Sequence, residues 1–136
     1  MSYAVASALQ GAVYQALTAD GPLGGLVGDA IYDALPSGRV PDLYVSLGPE
    51  TVKDASDKSG HGAEHRFTVS VMSTAPGFAT AKSVAAAICD VLVDADLALD
   101  RGRLVSLGFD RATARRIDDD NGRQIDLRFR ARVEDN

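Results

Sequence analysis

The stretch Gln124-Ile125-Asp126-Leu127-Arg128-Phe129-Arg130-Ala131-Arg132-Val133-Glu134 alternates polar and apolar side chains without a break. On an extended chain Ile125, Leu127, Phe129, Ala131 and Val133 point to one side, and Gln124, Asp126, Arg128, Arg130 and Arg132 to the other. This period of two marks a strand with one buried face. Just before it, Asp118-Asp119-Asp120-Asn121-Gly122 carries Asn-Gly, a strong hairpin-turn signal. Arg103 to Ile117 reads as the first arm, and its phase shifts after Phe109, which predicts a bulge near Asp110. A long terminal hairpin with one apolar and one arginine-bearing face is the frame on which the rest must pack.

Working outward, Phe67, Val69 and Val71 alternate with Arg66, Thr68 and Ser70, giving a further half-buried strand. Leu43-Tyr44-Val45-Ser46-Leu47 reads as its partner and is expected to end at Gly48-Pro49. Residues 53–62 hold a single apolar side chain and are expected to form a long mobile loop between the two. Ala30-Ile31-Tyr32-Asp33 is a short strand. Val5, Leu9, Val13 and Leu17 recur every four residues, predicting a helix from Tyr3 to Ala19 that Ser2 can cap and Asp20-Gly21-Pro22 stops. Gly21 to Gly28 reads as a turn or one short helical turn. A second helix is expected to start at Thr74 before Pro76 and to run through Ala81, Ala85, Ile88 and Leu92 to about Ala95. The resulting class is α+β: a mostly antiparallel sheet of about 4–5 strands with two helices packed on one face. Residues 1–136 form one domain.

The composition sets limits on the task. Hydrophobic residues make up 46% of the 136 positions and charged ones 24%, which allows a real core and argues against disorder. Cys89 is the one cysteine, so no internal disulfide framework or thiol cluster is encoded, in keeping with a reducing cytosol. Met1-Ser2-Tyr3 opens no signal-like segment, and apolar runs are too short to span a bilayer, so neither export nor membrane insertion is expected. The net charge of −5 is unevenly spread. Residues 1–100 hold 5 basic and 12 acidic side chains, whereas residues 101–136 hold 9 basic and 7 acidic. Arginine supplies 11 of the 14 cations, and its planar fork of donors suits fixed pairing with carboxylates or phosphates.

Tested for chemistry, the chain assembles no catalytic set. Asp54, Asp57, His61, Glu64 and His65 are metal-ligand types, and His61 and His65 stand four apart as in a helical metal motif. Gly60 and Gly62 break a helix there, so a solvated loop leading into a strand is the stronger reading. Cys89 lies in an apolar helix without a basic neighbour and reads as a small hydrophobe. The run from Gly21 to Gly28 follows a helix and precedes a strand, the wrong order for a phosphate loop, and lacks its Gly-Lys-Ser/Thr ending. No catalytic residue, metal site or cofactor is assigned.

The charged surfaces are more informative. Arg128, Arg130 and Arg132 share one strand face, and Arg111, Arg115 and Arg116 come from the opposite arm. Such a stripe can grip phosphates, but nucleic-acid binders are usually basic domains, and this chain is acidic with no Trp. Asp90, Asp94, Asp96 and Asp100 crowd the end of the second helix, where the macrodipole favours cations. A sequence that accepts this conflict invites arginines to meet it, from the last hairpin of the same chain or of a neighbouring copy. Asp54, Asp57 and Lys58 of the polar loop, Asp90, Asp94, Arg115, Arg128, Arg130 and Arg132 are therefore the candidate subunit or partner interface.

Several phrases, in this order, resemble the tail terminator (tail completion) proteins of gene transfer agents, within the wider family of siphophage tail-completion proteins. They are Leu23-Gly24-Gly25-Leu26-Val27-Gly28-Asp29-Ala30-Ile31-Tyr32-Asp33 with Pro36, then Leu43-Tyr44-Val45-Ser46-Leu47-Gly48. His65-Arg66-Phe67-Thr68-Val69-Ser70-Val71-Met72-Ser73 follows, then Gly77-Phe78-Ala79-Thr80-Ala81-Lys82, and last Ile125 to Asp135. Many relatives carry an aromatic where Met72 stands. The resemblance implies a ring, a hexamer, that caps the tail tube and joins it to the head-to-tail connector or stopper protein. DNA would pass through the lumen without specific binding. It further implies a protein made in the bacterial cytoplasm and incorporated at the head-proximal end of the tail, with no membrane partner. The family brings no catalytic residues. The rivals are another neck or tail component of the same particle, and a small metal-dependent enzyme using His61 and His65.

Overall fold

The computed structural model describes residues 3–58, 60–117 and 122–135. In chain order the elements are α1 (Ala6–Ala19), α2 (Gly21–Val27), β1 (Ile31–Tyr32), β2 (Leu43–Asp54), β3 (His61–Ser73), α3 (Ala79–Leu92), β4 (Arg103–Ile117) and β5 (Gly122–Asp135). The strands form one sheet in the order β1-β2-β3-β5-β4, antiparallel throughout except for the short parallel pair β1 and β2. The helices cover one face, and the mostly antiparallel α+β class is as expected from the strand patterns. Among the described residues no helix is long and apolar enough to cross a membrane.

The terminal hairpin follows the sequence pattern residue by residue. Ile125, Leu127, Phe129, Ala131 and Val133 are buried, and the residues between them lie on the other face. Its register shifts between Phe109 and Arg111, which places a bulge at Asp110 as the phase change predicted, and shifts again between Leu104 and Ser106. The Asn-Gly turn lies partly in positions 118–121, outside the described residues. Phe129 is fully buried and stacks on Phe67 of β3 with ring centroids 5.6 Å apart. That stack ties the hairpin to the centre of the sheet, under Val84, Ile88 and Leu92 of α3 and Leu9, Val13 and Leu17 of α1.

Four expectations are corrected. β2 does not end at Gly48-Pro49 but runs on to Asp54, with a register shift between Leu47 and Glu50. Pro49 lacks an N–H and interrupts the ladder, yet the unbroken β3 beside it re-engages the chain beyond the bulge. The long loop over 53–62 is accordingly a short connection. Lys53 and Asp54 pair with Glu64 and Ala63, His61 and Gly62 pair with β5, and Asp57 bridges Gly60. The connection is tight at Gly62, where a Cβ would come within 2.8 Å of the Ala55 carbonyl oxygen.

The Gly-rich run after α1 is a helix of its own, making three helices among the described residues where two were expected. Asp20 both ends α1 and caps α2, its carboxylate accepting from the Leu23 N–H at 2.9 Å, with Pro22 in the first turn and Gly28 closing the helix at φ 62°. Finally, α3 starts at Ala79 rather than Thr74. The Thr74 N–H donates to the Asp42 carbonyl and the Ala75 N–H to Ser73 Oγ, so the chain leaving β3 is still held to the sheet and cannot coil. α3 stops at Leu92, short of Ala95, and Asp94 takes a left-handed φ of 59°. α1 begins at Ala6, with Val5 at its cap position, and Ser2 lies outside the described residues.

Candidate functional site

The face of the sheet turned away from the helices gathers most of the cations. The register places Lys53, Arg66, Arg103, Arg111, Arg115, Arg128, Arg130 and Arg132 on it, with Glu64, Asp110, Asp126 and Glu134 among them. Eight cations against four carboxylates leave this face at +4. Off this face the described residues hold 6 basic and 12 acidic side chains, a balance of −6. The split seen along the sequence is thus also a split between the open sheet face and the rest of the described chain.

Within the face, order comes from a few ion pairs. Arg128 Nε donates to Asp110 Oδ2 at 2.6 Å, so the bulged aspartate is held in place by the strand beside it. The Arg128 hydrogen bond holds the Asp110 carboxyl below the usual carboxylate range, helped by the charges of Arg128, Arg66 and Arg130. Asp126 accepts from Ser70 Oγ at 2.6 Å and Gln124 Nε2 at 2.8 Å, with Arg115 3.7 Å away. Arg132 reaches past Glu64 to donate to the Ala55 carbonyl at 2.9 Å, which ties the β2–β3 connection to the sheet. A shallow concavity of about 510 Å³ opens between Pro49, Thr68, Ser70, Arg111, Arg115 and Arg128. Arg66 and Arg130 are direct cross-strand partners of like sign. This unfavourable juxtaposition suits an acidic partner surface.

The acidic end of α3 lies on the other side of the molecule. Asp90, Asp94, Asp96 and Asp100 are all exposed, and the Asp94 N–H donates to the Leu107 carbonyl at 2.9 Å, pinning the turn after α3 to β4. The sheet separates these aspartates from Arg128, Arg130 and Arg132 within one chain. Arg101 and Arg103 instead engage the end of β5, Arg101 gripping Asp135 with two nitrogens at 3.0 and 2.9 Å and Arg103 pairing with Glu134. Asp57 and Lys58 sit at the exposed tip of the β2–β3 connection, and Asp54 accepts from Ser56 Oγ at 2.7 Å, which lowers its pKa.

The histidines are drawn apart by the strand. Both lie on β3, where four residues span about 13 Å rather than one helical turn. His65 is fully buried, its Nδ1 3.4 Å from Glu50 Oε2 and its ring stacked on Tyr3, while His61 is exposed. Among the described residues no three His, Cys, Asp or Glu side chains converge on a metal position. Tyr3 hydroxyl donates to the other Glu50 oxygen. Sequence reading missed this Tyr3–Glu50–His65 cluster, because Glu50 comes just after the expected end of its strand. It borders an open cleft of about 460 Å³ with Gln10, Tyr14 and Asp33. Cys89 is half-buried against the core, and burial, with Asp90 next to it, pushes its thiol pKa up, away from nucleophilic use.

The fold is a single sheet under one helical layer, with ion-paired strand faces and opposed surface charge, and the comparisons give it a family. Residues 11–134 match the family model described as tail completion protein gp17, and the chain belongs to that family. A solved structure described as "Virion of native gene transfer agent (GTA) particle" contains a chain 63% identical in sequence. The match covers 98% of this chain and 99% of that one, with a TM-score of 0.93. Among curated proteins, none matches the sequence.

Proposed function

We propose that this chain is a non-enzymatic structural component of the tail of a phage-like gene transfer agent. In this reading, copies of the chain close into a ring, a hexamer, at the head-proximal end of the tail. The ring caps the tail tube and joins it to the head-to-tail connector or stopper, and DNA passes through its lumen without specific binding. The protein is made in the bacterial cytoplasm before it is incorporated.

The observation that carries the reading is the polarity of the subunit: +4 on the open sheet face against −6 on the rest of the described residues. Heterologous contacts that close by rotation require each copy to show two different, complementary patches, and such polarity supplies them. Arg128, Arg130 and Arg132 of one copy would meet acidic surface such as Asp90 and Asp94 of another. Asp54, Asp57 and Lys58, at the tip of the β2–β3 connection, are placed to touch a partner ring, that of the tube or the connector. Membership of the tail completion family and the likeness to a gene transfer agent virion chain support the same reading.

Negative-stain images of the purified protein mixed with isolated tail tubes provide the test. Six-fold rings seated on tube ends are the expected outcome. Monomers that never associate with tubes would overturn the proposal. Rings that leave the tube ends bare would favour another neck component of the same particle.

A further inference from the structure

One row of register crosses the whole sheet. Ile31 pairs with Val45, Val45 with Val71, Val71 with Ile125 and Ile125 with Ala114. Its two ends are the two edges of the sheet, at the same height, and each has no strand on its outer side. β1 is only two residues long, and β4 is a fifteen-residue strand with a neighbour on one side alone. A long open edge of unpaired N–H and C=O groups is a ready seat for another chain.

The two edges are chemically opposite. Arg111, Arg115 and Arg116 are exposed along β4. Asp29 and Asp33, both exposed, flank β1, Asp33 accepting from Gln10 Nε2 at 2.6 Å, and Asp42, also exposed, leads into β2, with Arg39 the cation of that loop. Each edge also has an uncovered apolar element. On β4 the helical cover stops where Asp94 is pinned to Leu107, so the core-facing Phe109, Ala112 and Ala114 are left bare, Phe109 at 45% exposure. Just past β1, Leu35 stands 53% exposed. An apolar centre with a charged rim is the anatomy of a protein–protein contact.

We propose that these edges are the two halves of one lateral contact between copies of this chain. The β4 edge of one copy seats on the β1 edge of the next, its arginines against Asp29, Asp33 and Asp42 and its bare apolar strip against Leu35. Repeated around an axis, the contact joins the β4 edge of every copy to the β1 edge of the next. The assignment rests on the ring reading above and adds which strands touch; Arg115 then belongs to this lateral edge.

The test uses full-length protein carrying Cys89→Ala with Leu35→Cys and Ala114→Cys, treated with a short bis-maleimide, while light scattering reads the mass of the untreated protein. The expected result is a multi-subunit mass and a ladder of cross-linked dimers, trimers and higher species on a denaturing gel, absent from either single-cysteine variant. In parallel, Arg115→Asp with Arg116→Asp loses the multi-subunit mass, and adding Asp29→Arg with Asp33→Arg to the same chain restores it. A multi-subunit mass without a ladder and without rescue overturns the edge contact while leaving the ring reading in place. A monomer under all conditions, tail tubes included, overturns both.

Discussion

Arg66 on β3 and Arg130 on β5 stand directly opposite one another in the antiparallel ladder, on the face of the sheet that no helix covers. Like charges in such a pair oppose strand pairing by a few tenths to about 1 kcal/mol, a cost that Glu64, 3.0 Å from Arg66 Nε, offsets in part. Arg130→Glu is expected to raise the midpoint of chemical denaturation of the monomer while weakening assembly. A denaturation curve and a mass measurement on the same sample check both signs.

The acidic end of α3 makes the same trade. Carboxylates in the last turn oppose the macrodipole, and cations there are favourable by roughly 0.3–1 kcal/mol. Asp90→Lys, in the last turn, should therefore leave the monomer as stable or more so, and together with Asp94→Lys, which carries some cost at its left-handed φ, should reduce oligomer mass in a salt-sensitive way. Light scattering at two ionic strengths checks this, and unchanged mass would remove these aspartates from the interface.

Asp110 sets a pH dependence. Its folded pKa lies below the ordinary carboxylate value because of Arg128. Its contribution to stability is therefore complete above the unfolded pKa of about 3.9 and is lost as the pH falls through the lower folded value. The stability difference between the wild type and Asp110→Asn should be constant near neutrality and shrink on acidification. Urea denaturation at several pH values measures it.

Two glycines with positive φ separate conformational strain from crowding. Gly28 (φ 62°) faces open space, whereas a Cβ at Gly102 (φ 69°) would collide with the Glu134 carbonyl oxygen and press on Val5. Gly28→Ala should cost about 1–3 kcal/mol, from a backbone conformation (φ 62°, ψ −130°) that residues with a Cβ rarely adopt. Gly102→Ala should cost clearly more, because the approach of the 93–102 segment to β5 must open as well. Thermal denaturation of the two variants ranks them.

Asp20 joins two helices through one side chain. Asp20→Ala removes the acceptor for the Leu23 N–H and should destabilise the fold by about 1 kcal/mol. Loss of protection at the Leu23 amide in hydrogen exchange, ahead of the α1 amides, would locate the effect at the start of α2.

Much of the frame was legible in the sequence. The alternation from Gln124 to Val133 matches burial in the structure, the bulge at Asp110 follows from a phase shift, and the stripe of Leu9, Val13 and Leu17 is the buried face of α1. The misreadings share a cause. Pro49 and the polar run from Lys53 to Gly62 look like strand breakers because local rules see one chain at a time. In the fold, β3 lies between β2 and β5, and two flanking ladders hold even polar residues extended. Likewise Thr74 looks like a helix start, but its N–H is committed to Asp42, more than thirty residues earlier in the chain. Among the candidate interface residues, the sequence grouped Arg128, Arg130 and Arg132 correctly, because residues two apart on a strand share a face.

The sequence by itself determined which side of each element is buried, since the periods of two and 3.6 follow from backbone geometry and need no knowledge of neighbours. It also determined that the charge divides into an acidic body and an arginine-bearing terminal hairpin. Only the tertiary structure decided which strands lie side by side, that Glu50 meets Tyr3 and His65, and that β1 and β4 are the open edges. Those outcomes depend on hydrogen bonds and packing between residues far apart in the chain, where every candidate pairing competes with every other. That competition set the arginines on the open sheet face and left the aspartates at the end of α3 on the far side of the sheet.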